Sequence, residues 1–189
     1  GLILIKGENG CGKSTLFHIL SGVFAEEQMQ IEVNGEIQIP SKYRNHFSYL
    51  FYPNFIFPGT VRENVLCGRK AEPGSYEKIE ELLHLPPADK EVITKPENLS
   101  LGEKQKIFLA RILFKDSPFL LLDEPGSNLD DKTERNFAEE LGRIKKKKYI
   151  LVISHNKIYD EIADEIYEIQ GGVMEKSWTQ KVMYDLHKN

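Results

Sequence analysis

Several things that would set this chain apart from ordinary globular proteins are missing. Its 189 residues hold only two cysteines, Cys11 and Cys67, far apart and in unrelated contexts. That excludes a disulfide framework and a cysteine-based metal centre, and it fits a reducing compartment. No apolar run approaches the ~20 residues a membrane-spanning helix needs, so a membrane span would have to come from another domain or chain. The first residues are apolar but lack the basic start and small-residue cleavage site of a signal peptide. Positive charge is not in excess: 25 Lys and Arg face 29 Asp and Glu, a formal net charge of −4. Nothing there suggests a broad nucleic-acid surface. Internal repeats and low-complexity tracts are also lacking. What is present, 40% apolar and 29% charged residues, suits one domain with a sizeable core.

The most informative stretch is residues 7–15, Gly-Glu-Asn-Gly-Cys-Gly-Lys-Ser-Thr. The apolar run Leu2-Ile3-Leu4-Ile5 before it reads as a buried strand, and residues 16–20 after it read as a helix. Strand, glycine loop and helix give a G-x-x-x-x-G-K-S pattern the context of a phosphate-binding loop. Gly7, Gly10 and Gly12 let the backbone of Glu8, Asn9, Cys11 and their neighbours curl and turn N–H groups toward a polyphosphate. The helix behind adds the positive end of its dipole. Lys13 is expected to reach the β- and γ-phosphates, the Ser14 hydroxyl to hold Mg²⁺, and Thr15 to continue the loop into the helix. Gly1 opens the chain at the strand that feeds this loop, so an upstream N-terminal part is expected.

Beyond the loop, residues 30–33 and 36–39 alternate around Asn34-Gly35, a strong hairpin signal. Residues 47–51 form another candidate strand, and residues 60–65 a helix capped by Thr60. The span 67–98 is polar, with one helical pattern at 76–85. A long helix opens at Leu99-Ser100-Leu101-Gly102-Glu103 and runs to about Lys115. Apolar strands at 119–122 and 149–153 flank a helix at 131–145, and the chain closes with a short helix near Ile158, a strand at 165–169, a Gly171-Gly172 turn and a terminal helix. Strands alternating with helices predict an α/β fold with a mainly parallel sheet. The lysine run 145–148 reads as a solvated helix end, favourable at the negative pole of the dipole.

Paired carboxylates at the end of an apolar strand repel each other and call for a ligand. Asp123 is expected to hold Mg²⁺ through water, and Glu124 to act as general base toward an attacking water. His155 also follows a buried strand. Alone it would read as structural; alongside the other elements it is suited to contact the γ-phosphate and the attacking water.

In this order the motifs resemble the nucleotide-binding domain of ATP-binding cassette (ABC) proteins, over residues 1 to about 175. Residues 7–15 resemble its Walker A, 99–103 its signature loop, 119–124 its Walker B with catalytic glutamate, 127–130 its D-loop, and His155 its switch histidine. Thr60-Val61-Arg62-Glu63-Asn64-Val65 resembles the segment after the Q-loop of exporter-type domains. The resemblance implies a P-loop NTPase fold: a parallel sheet flanked by helices, a small antiparallel part and a short helical subdomain over 66–116. It implies ATP and Mg²⁺, catalysis by Glu124, His155 and Lys13, and head-to-tail dimerisation around two ATP molecules. Ser100 and Gly102 would then meet the γ-phosphate held by the opposite domain. The implied partners are a second such domain and the transmembrane domain of a transporter, at the cytoplasmic face of a membrane, with no nucleic acid.

Three positions depart from the family pattern. Tyr52 stands where the family has the Q-loop glutamine, and it either leaves that metal position to water or packs against the membrane domain. Leu101 replaces a signature glycine, and Glu103 the signature glutamine, where a carboxylate would repel a triphosphate. A heterodimer with a complementary partner and a tolerant homodimer both fit these changes. The alternatives are a soluble ABC ATPase acting on nucleic acid or ribosomes, and a nucleotide-binding switch with little turnover. Cys11 admits two readings, a thiol that makes hydrolysis sensitive to modification and a small filler.

Overall fold

The computed structural model describes residues 1–22, 31–33, 35–38, 45–50, 55–95 and 97–179. Tyr52, Asn34 and residues 180–189 lie outside the described residues.

In chain order, β1 (Leu2–Gly7) leads through the glycine loop into α1 (Lys13–Leu20). A short antiparallel hairpin follows, β2 (Ile31–Val33) and β3 (Glu36–Gln38), as the alternation around Gly35 predicts. Next come β4 (Phe47–Leu50), β5 (Gly59–Thr60), α2 (Val61–Leu66), α3 (Ser75–Leu83), β6 (Glu91–Val92) and α4 (Leu101–Lys115). The chain then alternates: β7 (Phe119–Asp123), α5 (Asp131–Ile144), β8 (Tyr149–Ile153), a 3-10 turn (Lys157–Tyr159), β9 (Glu165–Gln170) and β10 (Val173–Thr179).

The main sheet runs β10-β9-β1-β8-β7-β4 and is parallel except for β10. Its strands are apolar without alternation because both faces are covered. Leu2, Leu4, Leu120, Leu122, Ile150 and Val152 point into a core shared with α4 and α5. Ile5, Leu121 and Ile153 point the other way and pack with Phe17 of α1 and Ile169 of β9. With β1 between β8 and β9, and β7 beside β8, the C-terminal ends of β1, β7 and β8 lie side by side at one end of the sheet. The phosphate-binding loop, Asp123-Glu124 and Ser154-His155 leave the sheet there.

Two details differ from expectation. The chain leaves Gly171-Gly172 as the strand β10, bulged between Lys176 and Trp178, rather than as a helix. Its pairing along the whole edge of β9 outweighs local preference, and a terminal helix within residues 180–189 falls outside the described residues. The β5–β6 pair joins Gly59 to Val92 and Thr60 to Glu91 within a span that reads as loop. Two-residue strands are too short to carry a periodic signal.

Candidate active site

The loop between β1 and α1 is shaped from behind. Gly7 has φ 146°, and a Cβ there would lie 2.7 Å from the Ile169 carbonyl and 2.8 Å from Cys11 Sγ. Only glycine fits both the conformation and the space. Cys11 is half-buried, and its N–H donates to the Glu8 carbonyl at 3.3 Å. Lys13, the first residue of α1, is 8% exposed. Its ammonium donates to the carbonyls of Gly7 (2.7 Å) and Glu8 (2.8 Å), so it arches over the loop. The N-cap of α1 is Gly12, which offers no side-chain acceptor, and the first turn holds no acidic residue. The N–H groups opening α1 are therefore left for an anion.

Asn9, Gly10, Gly12, Lys13, Ser14 and Thr15 share one open cavity of about 280 Å³ with Asp123 and Glu124. The Ser14 hydroxyl donates to Asp123 Oδ2 at 2.5 Å. A hydroxyl and a carboxylate in contact beside a phosphate-binding loop are the hard oxygen donors that Mg²⁺ prefers, so these two residues fit that ion.

Glu124 follows β7 in the left-handed region, φ 44°. For a non-glycine residue this costs about 1–2 kcal/mol, and Glu124 is held there on both sides. Its N–H donates to the Ile153 carbonyl at 2.9 Å, and Ser154 Oγ donates to its Oε2 at 3.2 Å. His155 Nε2 lies 3.8 Å from Glu124 Oε1, and both side chains are about half exposed. The predicted Lys13, Ser14, Asp123, Glu124 and His155 thus converge at the C-terminal ends of the parallel strands.

Ser100 and Gly102 do not line that cavity. They open α4, where Ser100 Oγ accepts from the Glu103 N–H (3.1 Å) and Glu103 Oε2 accepts from the Ser100 N–H (2.8 Å), a reciprocal capping box. A Cβ on Gly102 would come within 2.7 Å of the Asn128 carbonyl, so this helix end rests against the segment that follows Glu124. Glu103 Oε1 pairs with Lys90 Nζ at 2.7 Å. Burial acts to raise the Glu103 carboxyl, but the hydrogen bonds with Lys90 and Ser100 outweigh it and hold it below its ordinary value. The expected repulsive carboxylate is therefore a paired one.

Sequence reasoning missed the residues that tie these regions together. Gln105 is buried and donates from Nε2 to the Pro125 carbonyl at 2.8 Å. Lys106 pairs with Asp130 at 3.2 Å. The Thr133 backbone and hydroxyl, both hydrogen-bonded to Asp130, hold its carboxyl well below the usual carboxylate range. Glu134 is 7% exposed and accepts from Asn156 Nδ2 at 2.9 Å, linking α5 to the loop that carries His155. Burial pushes its carboxyl up despite hydrogen bonds that favour the anion. A glutamine on the apolar side of α4 was the one usable signal; Lys106 and Glu134 read as ordinary surface charges of helices.

The family model described as ABC transporter matches residues 1–127. A probable ABC transporter ATP-binding/permease protein of Haemophilus influenzae is 33% identical over 185 residues, 90% of this chain and 33% of that protein. The chain thus spans about a third of that relative's length. The thiamine import ATP-binding protein ThiQ of Histophilus somni is 33% identical over 180 residues, 90% of this chain and 84% of that protein. Among solved structures, a bacterial Atm1-family ABC exporter with ATP bound shares the fold at TM-score 0.78 and 22% identity, over 100% of this chain and 37% of that one.

Proposed function

The chain belongs to the ABC transporter family, and on that premise we propose that it binds and hydrolyses ATP to power transport across a membrane, in the export direction. The observation that carries this reading is the convergence of Lys13, Ser14, Asp123 and Glu124 on one cavity at the N-terminus of α1. The loop N–H groups and Lys13 take the β- and γ-phosphates. Ser14 and Asp123 would hold Mg²⁺, which would neutralise phosphate charge there. Glu124, turned by its backbone and steadied by Ser154, accepts a proton from the water that attacks the γ-phosphorus. The P–O bond to ADP breaks and phosphate leaves. His155, beside Glu124, hydrogen-bonds the γ-phosphate and that water.

In this proposal two such domains pair head to tail, each covering the other's nucleotide with Ser100 and the opening N–H groups of its α4. Residues 66–116, the short helical subdomain with α3 and α4, contribute that surface. The partner on the membrane side is a transmembrane domain at the cytoplasmic face. Phe55, 77% exposed, supports a docking surface there, held by Arg111 of α4, whose Nη1 donates to its carbonyl at 2.6 Å. Among the described residues no helix is long and apolar enough to cross a membrane.

Export rests on the resemblance of residues 60–65 to the exporter-type segment. Import is the second reading, favoured by the likeness to a thiamine import ATP-binding protein over most of that protein's length. Action on nucleic acid is not favoured by the acidic balance of the chain. The test is phosphate release from Mg-ATP by wild type and E124Q, with nucleotide binding measured in parallel. Hydrolysis lost and binding kept supports the proposal; hydrolysis unchanged in E124Q removes it.

A further inference from the structure

Among the described residues two helices open with a capping box, and the boxes differ in one respect. In α2, Glu63 Oε2 accepts from the Thr60 N–H at 2.7 Å while Thr60 Oγ1 accepts from the Glu63 N–H at 3.1 Å. That box closes with no basic partner for Glu63 among the described residues. In α4 the same geometry recurs between Ser100 and Glu103, but Lys90 is added at 2.7 Å, both side chains being 30% exposed. A lysine is therefore not needed to close such a box. Its effect on α4 is electrostatic.

We propose that Lys90 is a positioning residue of the signature loop, pairing the Glu103 carboxylate so that α4 presents the positive end of its dipole, without an uncompensated carboxylate, to the phosphates of an opposed nucleotide. The proposal rests on the head-to-tail reading above. Lys90 is fixed for this purpose: its N–H donates to the Pro87 carbonyl (2.9 Å) and its carbonyl accepts from the Val61 N–H (3.0 Å). Both oxygens of Glu103 are engaged, one by Lys90 and one by the Ser100 N–H. The N–H groups of Leu101 and Gly102, which precede any intrahelical acceptor, keep the helix end positive. Ser100 is exposed and Leu101 is 61% exposed beside them, so this end is open to a partner. Without Lys90 the full charge of Glu103 would stand in the first turn, against the dipole's attraction for phosphate.

The experiment uses E124Q, expected on the proposed mechanism to hold ATP without turnover, and measures molecular mass by light scattering across a Mg-ATP titration. Adding K90M should raise the ATP concentration for half-maximal dimer about tenfold, the scale of one unscreened charge near a phosphate. Adding E103Q to that variant should bring the half-maximal concentration back to within about twofold of E124Q alone, because K90M/E103Q leaves no uncompensated carboxylate. Thermal melts of each variant check folding. No shift with K90M, or no recovery in K90M/E103Q, overturns the assignment while leaving the dimer reading intact. An E124Q protein that binds ATP yet stays monomeric overturns the dimer reading, and this inference with it.

Discussion

Two helix N-termini in this molecule are proposed to meet phosphate, and they are built in opposite ways. At α1 the N-cap is a glycine in the left-handed region, no side chain caps the helix, and no acid occupies the first turn. At α4 the N-cap is Ser100 in a closed capping box, with Glu103 in the first turn and Lys90 on Glu103. The α1 end is incomplete by itself: its N–H groups, Lys13 and the Ser14–Asp123 pair are aimed at a cavity. The α4 end is complete by itself and rests on Asn128 and Pro125 of its own chain. An incomplete end binds a ligand strongly. A complete end can only sense one, through the few groups left over. That difference suits a nucleotide held by one domain and read by another.

The largest effect comes from removing the carboxylate that shares the cavity with the α1 end. E124Q should lower phosphate release between about 100-fold and about 10,000-fold, the range for losing a general base, while ATP binding persists. Next, G102A forces a Cβ toward the Asn128 carbonyl, 2.7 Å away, so α4 or the following loop must shift. It should cost about 1–3 kcal/mol of stability, as other overpacking substitutions do, read in a denaturant titration. T15E gives α1 what α4 already has, a glutamate at the third helical position, on an exposed residue. ATP affinity should fall about tenfold, with the melting temperature unchanged or slightly raised, since an acid there favours the helix dipole; calorimetry separates the two effects.

The smallest effect concerns the tie between α4 and the loop after Glu124. Asp130 caps α5, and its carboxyl is held below the ordinary value chiefly by the Thr133 N–H and hydroxyl. A depressed carboxylate stabilises the fold above its unfolded pKa, about 4, and the contribution is lost as pH falls through the folded value. D130A should therefore cost about 1 kcal/mol near neutral pH, the usual worth of a cap, and the gap to wild type should narrow below about pH 4.

The α1 end was legible in the sequence because its chemistry is contiguous. Residues 7–15 carry loop, lysine and serine together, and the strands that hold Asp123 and His155 are apolar on both faces. The α4 end was legible only as a helix start. Glu103 read as a repulsive carboxylate because its partner Lys90 lies 13 residues away in a loop without periodicity. The Gln105–Pro125 and Glu134–Asn156 links likewise join distant positions that no local pattern relates. The strand β10 was missed because pairing with β9 decides its state.

The most direct test of this contrast is an equilibrium ATP-binding isotherm on wild type, K13M and S100A, with the protein dilute enough to remain monomeric. Wild type and S100A should bind one ATP per chain with the same affinity, and K13M should lose binding, because the α1 end alone holds the nucleotide. Binding that survives K13M, or that S100A abolishes, would contradict that assignment.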